Sequence, residues 1–132
     1  MRALVACDLG VVSVDLDTEE VELEAAAEAP VRETPALGLP LLVAADRHGS
    51  TVVAVVERRP PLVVSADAGL TWREAGAGLP AGRDVAVSPE HPDLVLYATE
   101  SRLYLSRDGG RFWAGLGVEL PGIAAVGWEE GS

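Results

Sequence analysis

The chain has 132 residues, 48 % of them apolar, and a formal net charge of −11, which suits one domain with a core of its own. It has no lysine, its ten cations all being arginine, and so acidic a balance argues against nucleic acid and anionic membrane, which bind through basic patches. No apolar run approaches the roughly 18 residues of a membrane-spanning helix, Asp8 cuts the N-terminal apolar run too early for a secretory signal, and the lone Cys7 excludes an intrachain disulfide; the expected setting is the cytoplasm.

Residues 3–7 read as a short apolar strand that Gly10 breaks. Residues 11–16 and 21–24 alternate apolar and polar side chains, as half-buried strands do, with Asp17-Thr18-Glu19 as the turn between them. Residues 25–36 have no counterpart elsewhere in the chain, and Pro30 and Pro35 exclude a regular strand or helix across them. That stretch is either a functional loop or a surface extension.

Leu39-Pro40 opens a unit that returns as Leu79-Pro80 and Leu120-Pro121, at intervals of 40 and 41 residues. A fixed period of this size marks repeats of one supersecondary unit. The second unit reads as strands at 41–45, 51–57, 62–66 and 71–75, and the third as strands at 84–87, 94–99, 102–106 and 111–116. No helix is expected. After Leu120-Pro121 the stretch Gly122 to Trp128 matches the opening strand of a unit, whereas the first unit lacks that strand. The expected order is therefore three strands, four, four, and one.

Two stretches share the pattern S-x-D-x-G-x-x-W. One carries Ser65, Asp67, Gly69, Thr71 and Trp72, the other Ser106, Asp108, Gly110 and Trp113, and the serines lie 41 residues apart. The Asp and Ser side chains can accept backbone N–H groups of their own turn. Glycine suits a position of positive φ, and tryptophan can fold over the hairpin and bury a large area. These residues are expected to be structural. The corresponding stretch of the first unit, Val14 to Thr18, has lost the pattern.

The repeated pattern resembles the Asp-box, or BNR repeat, of β-propeller proteins such as sialidases, sortilin-like propellers and many non-enzymatic propellers. The resemblance implies an all-β fold of four-stranded antiparallel blades: blade 1 over residues 1–38, blade 2 over 39–78 and blade 3 over 79–120. It also implies ring closure by strand exchange. Three blades fall short of the roughly four to eight that close a ring, so the expectation is a homodimer that completes a six-bladed propeller. In it, strand 122–127 of each chain completes the partner's first blade. The other expectation is that the chain is half of a larger propeller assembly.

The same resemblance places the turns between the second and third strands, and the links between units, on a common face opposite the boxes. Arg32, Arg58, Arg59, Arg83 and Arg102 fall there and form the candidate ligand face, since guanidinium groups grip carboxylate or phosphate bidentately. Ordinary solvated charge explains them equally well. His48 and His91 occupy matching turns, but no metal-ligand spacing accompanies them, and neither a metal nor a cofactor is expected. Sialidases use an arginine triad, a Tyr–Glu pair and an Asp acid; Tyr97 and Tyr104 are the only tyrosines here, and no such set stands at motif spacing. The function expected is a non-enzymatic binding or scaffold module for a small-molecule, glycan or protein ligand. A glycoside hydrolase of the sialidase type is the alternative.

Overall fold

A computed structural model describes residues 1–30 and 37–129. The described chain runs β1 (Arg2–Cys7), β2 (Gly10–Asp15), β3 (Val21–Leu23), β4 (Leu42–His48), β5 (Thr51–Val56), β6 (Leu62–Ser65), β7 (Arg73–Ala75), β8 (Asp84–Val87), β9 (Val95–Ala98), β10 (Arg102–Ser106), β11 (Ala114–Glu119) and β12 (Ala125–Trp128), with no helix among the described residues. Accordingly no helix is long and apolar enough to cross a membrane.

The strands form three four-stranded antiparallel sheets, ordered β12-β1-β2-β3, β4-β5-β6-β7 and β8-β9-β10-β11. The second and third are meanders of consecutive strands and the first adds β12 to β1–β3, and four short antiparallel strands are the composition of a propeller blade. The sheets stack side by side as second, third, first: β4 and β5 lie against β8, and β12 lies against β8 and β9. Among the described residues no strand of the first sheet neighbours a strand of the second. The first sheet in sequence is therefore last in space, and the stack is an open arc.

Burial follows from this order. The third sheet is covered on both faces, so all four residues of β9 are buried and the strand reads as a continuous apolar run rather than an alternating one. One core lies between the second and third sheets, with Val53, Val55 and Leu62 against Val85, Val95 and Tyr97. Another lies between the third and first, with Leu96, Leu103 and Ile123 against Val5, Val12 and Val126. On the far face of the second sheet, Leu37, Leu39, Leu42 and Trp72 pack on Ala45, Ala54, Val56 and Val63.

The fourth strand of the first sheet departs from the expected partner-chain joint. Leu4 pairs with Gly127 and Ala6 with Ala125, and both strands belong to one chain. The register runs from Ala3 with Trp128 to Ala6 with Ala125, and the Glu129 amide extends it with a bond to the Arg2 carbonyl at 3.1 Å. The strand also starts later than expected, at Ala125: the Ala124 amide still donates to Ala6 of β1 at 2.8 Å, but the residues before it turn away. Pro121 accepts from the Asp8 amide at 2.9 Å, and the Ile123 amide donates to Glu100 at 2.8 Å.

Candidate functional site

Each of the two repeated turns is built from its own side chains. In the first, Ser65 Oγ donates to Asp67 Oδ1 at 2.7 Å and accepts the Gly69 amide at 2.8 Å. Asp67 accepts the Thr71 amide at 2.8 Å and the Thr71 hydroxyl at 2.6 Å. These bonds hold the Asp67 carboxyl down at about 2, the Thr71 hydroxyl contributing most. In the second turn Ser106 Oγ donates to Asp108 Oδ1 at 2.9 Å and accepts the Gly110 amide at 2.8 Å. Asp108 accepts the amides of Arg111 and Phe112 at 3.1 and 2.9 Å, and the Phe112 amide does most to lower its carboxyl. Phe112 stands where Thr71 stands and offers no hydroxyl. The expected strand from residue 111 is therefore turn up to Trp113, and β11 starts at Ala114.

The first unit lacks the motif but keeps its physics. Asp15 Oδ1 accepts the amides of Asp17 and Thr18 at 2.8 and 3.0 Å, which lowers its carboxyl, Thr18 first. A carboxylate one position before the aligned one caps the turn. An aspartate at the end of an alternating strand was the available signal.

On the opposite face lie the β1–β2, β5–β6 and β9–β10 turns with the links between sheets. Here the arginines divide. Arg58, Arg59 and Arg83 line one groove of about 660 Å³ between the second and third sheets, together with Glu57 and Gly82. Arg59 Nη1 donates to the Leu79 carbonyl at 2.7 Å. Arg83 Nη1 reaches the Ile123 carbonyl at 3.5 Å, and its Nη2 lies 3.9 Å from Glu100. Arg102 does not join them. It sits opposite Glu119 in the β10–β11 register, and its Nη2 bonds that carboxylate at 2.7 Å. Arg32 lies outside the described residues.

A second groove, of about 760 Å³, follows the inner edge of the arc and is lined by Glu28, Asp46, His48, Trp128 and Glu129 among others. Two of its carboxylates already have work. Asp46 Oδ2 accepts the Val87 amide at 2.7 Å and Oδ1 the Arg47 amide at 2.8 Å. Glu129 accepts from Ser13 Oγ at 3.1 Å and lies 3.5 Å from Arg2 Nε. Trp128 Nε1 donates to the Ala86 carbonyl at 3.0 Å. His48 ends β4, three residues beyond the expected strand, while His91 lies in the turn 88–94, where its amide meets Ser88 Oγ. Among the described residues no three His, Cys, Asp or Glu side chains gather as metal ligands.

No protein-family model matches the chain, and no curated protein matches it. One solved structure, the GH74 enzyme of Niastella koreensis, matches over 90 % of this chain at 22 % identity and a TM-score of 0.48. The chain spans 18 % of the length of that protein.

Proposed function

We propose that this chain is a binding module without catalytic chemistry of its own, whose ligand carries a carboxylate or phosphate and enters the groove of Arg58, Arg59 and Arg83. The convergence of three of ten cations on one groove, in a chain of net charge −11, carries this reading. A guanidinium presents a planar fork of donors to an oxyanion. The carbonyls of Leu79 and Ile123 orient two of the forks from behind. Two copies of the chain supply six sheets and complete one ring, inside the range of about four to eight blades that propellers use. The unpaired Cys7 suits a reducing cytoplasm.

Calorimetric titration with inorganic phosphate, citrate, glucuronate and glucose tests the ligand class. The charged probes bind, glucose does not, and Arg58→Ala weakens binding by about tenfold, the loss of one charge-assisted bond. Failure of every anion to bind at millimolar concentration overturns the reading.

The inner groove favours a second reading, a glycoside hydrolase, because it brings the carboxyl groups of Glu28 and Glu129 to one cavity with an indole. Such chemistry needs two carboxyls flanking the scissile bond, and Glu129 is tied to Arg2 and Ser13. Turnover of a fluorogenic glycoside that Glu28→Gln abolishes would establish this reading over the first.

A further inference from the structure

We propose that the two copies meet face to face, the free face of the first sheet of one chain packing on the free face of the second sheet of the other, with β12 remaining on its own β1. The proposal rests on the two-copy reading above. Its starting point is the Leu-Pro pair that recurs in each unit. Leu79 packs in the core between the second and third sheets, and Leu120 in the core between the third and first. Leu39 packs only on the second sheet, with Ala54, Val56 and Val63, and no other sheet faces it among the described residues. The tryptophans repeat the disparity: Trp113 lies in the core shared by two sheets, and Trp72 on the unshared face. The unshared face is half of a seam whose other two examples are complete.

The missing half has a recognisable composition. In the complete seams it consists of Val53, Val55 and Leu62 of the second sheet, or Leu96, Ala98 and Leu103 of the third. The aligned positions in the first sheet are Leu4, Ala6 and Val11. All three are only partly buried, although Leu96, Ala98 and Leu103 are at 0 % exposure. One chain thus carries one face of each kind that no other sheet covers among the described residues, with Pro30 against Gly127 at the edge of the first, and the sheet order second, third, first places them at opposite ends of the arc. A second copy related by a two-fold axis satisfies both at once, whereas three sheets alone are too few to meet in a ring.

Light scattering at micromolar concentration tests the seam. The unsubstituted chain should weigh two chains. Leu4→Glu and, separately, Leu39→Asp should weigh one while keeping the strand signal in circular dichroism; Leu9→Glu, in the β1–β2 turn on the ligand face, should still weigh two. An unsubstituted chain that weighs one overturns both the seam and the two-copy reading. A two-chain mass that survives both seam substitutions overturns the seam alone. Should a variant lose its strand signal, a cysteine pair at Ala6 and Ala125, with Cys7→Ser, decides the strand. A disulfide within one chain supports the proposal, and a covalent pair of chains overturns it in favour of strand exchange.

Discussion

The Tyr97 hydroxyl donates a 2.6 Å hydrogen bond to the carbonyl of Pro80, the proline of the second Leu-Pro pair. Tyr97 is fully buried between the second and third sheets, and burial pushes its hydroxyl up to about 12. Its ring stands edge-on to Trp113 at 6.0 Å. One side chain therefore ties the link between two units to the seam between two sheets. Tyr97→Phe keeps the ring but leaves a carbonyl short of a donor, and should cost about 1–3 kcal/mol in urea denaturation. Gly82→Ala would set a methyl inside the same ring and should destabilise more than Tyr97→Phe.

The turn carboxylates predict an acid limb of stability. Asp67 lies at about 2 in the folded chain against an ordinary value of 3.8, and Asp108 and Asp15 are lowered too. A carboxyl lowered by folding stabilises the fold fully above its unfolded value, and that contribution fades as the pH falls through the folded one. Thermal unfolding temperature should therefore drop between about pH 4 and pH 2, and Asp67→Asn should flatten the drop. Phe112→Thr would give Asp108 the hydroxyl that Thr71 gives Asp67. NMR titration should then find the Asp108 carboxyl lower than in the unsubstituted chain.

Arg2 fastens β12 to the rest of its sheet. Its Nε donates to Ser13 Oγ at 2.7 Å, and its guanidinium lies 3.5–3.6 Å from Asp15, Glu22 and Glu129, which belong to or flank β2, β3 and β12. Arg2→Ala removes a charge-assisted bond and leaves three carboxylates facing one another. It should cost about 1.5–3 kcal/mol and raise hydrogen exchange at Val126 and Gly127 before it does so in β9.

Two glycines of positive φ separate backbone strain from packing. Gly110, at φ 93°, would bring an added Cβ to 3.2 Å from Val64, whereas Gly78, at φ 86°, faces open space. Gly78→Ala should cost about 1–2 kcal/mol for the left-handed backbone alone, and Gly110→Ala measurably more in the same denaturation series.

The three-sheet architecture was legible because its signals are local. The Leu-Pro period, the alternation in β2 and the paired Ser and Asp of each turn all act within a few residues of themselves. What escaped depends on placement in space. Leu4 and Gly127 have the pattern of neighbouring inner strands, but a pattern does not say whether both come from one chain. Arg58 and Arg102 occupy corresponding turns and look alike in sequence, yet Arg102 meets Glu119 across a ladder while Arg58 lines a groove. The strand register, once known, separates them. Asp15 escaped because the turn needs a carboxylate within reach rather than at a fixed position. Arg32 lies outside the described residues, and its place on the ligand face stays an expectation.

The pairing of Ala3 with Trp128 also sets an order of events for a chain emerging from the ribosome. The second and third sheets are each contiguous in sequence and can form as soon as their own strands have left the exit tunnel. The first sheet cannot. Its β1 precedes β4 to β11 in the chain and must wait, one edge open, until β12 appears. Such non-local pairing is slow and leaves an edge available to other chains. How long that edge stays open is therefore set by how soon β12 follows the strands before it.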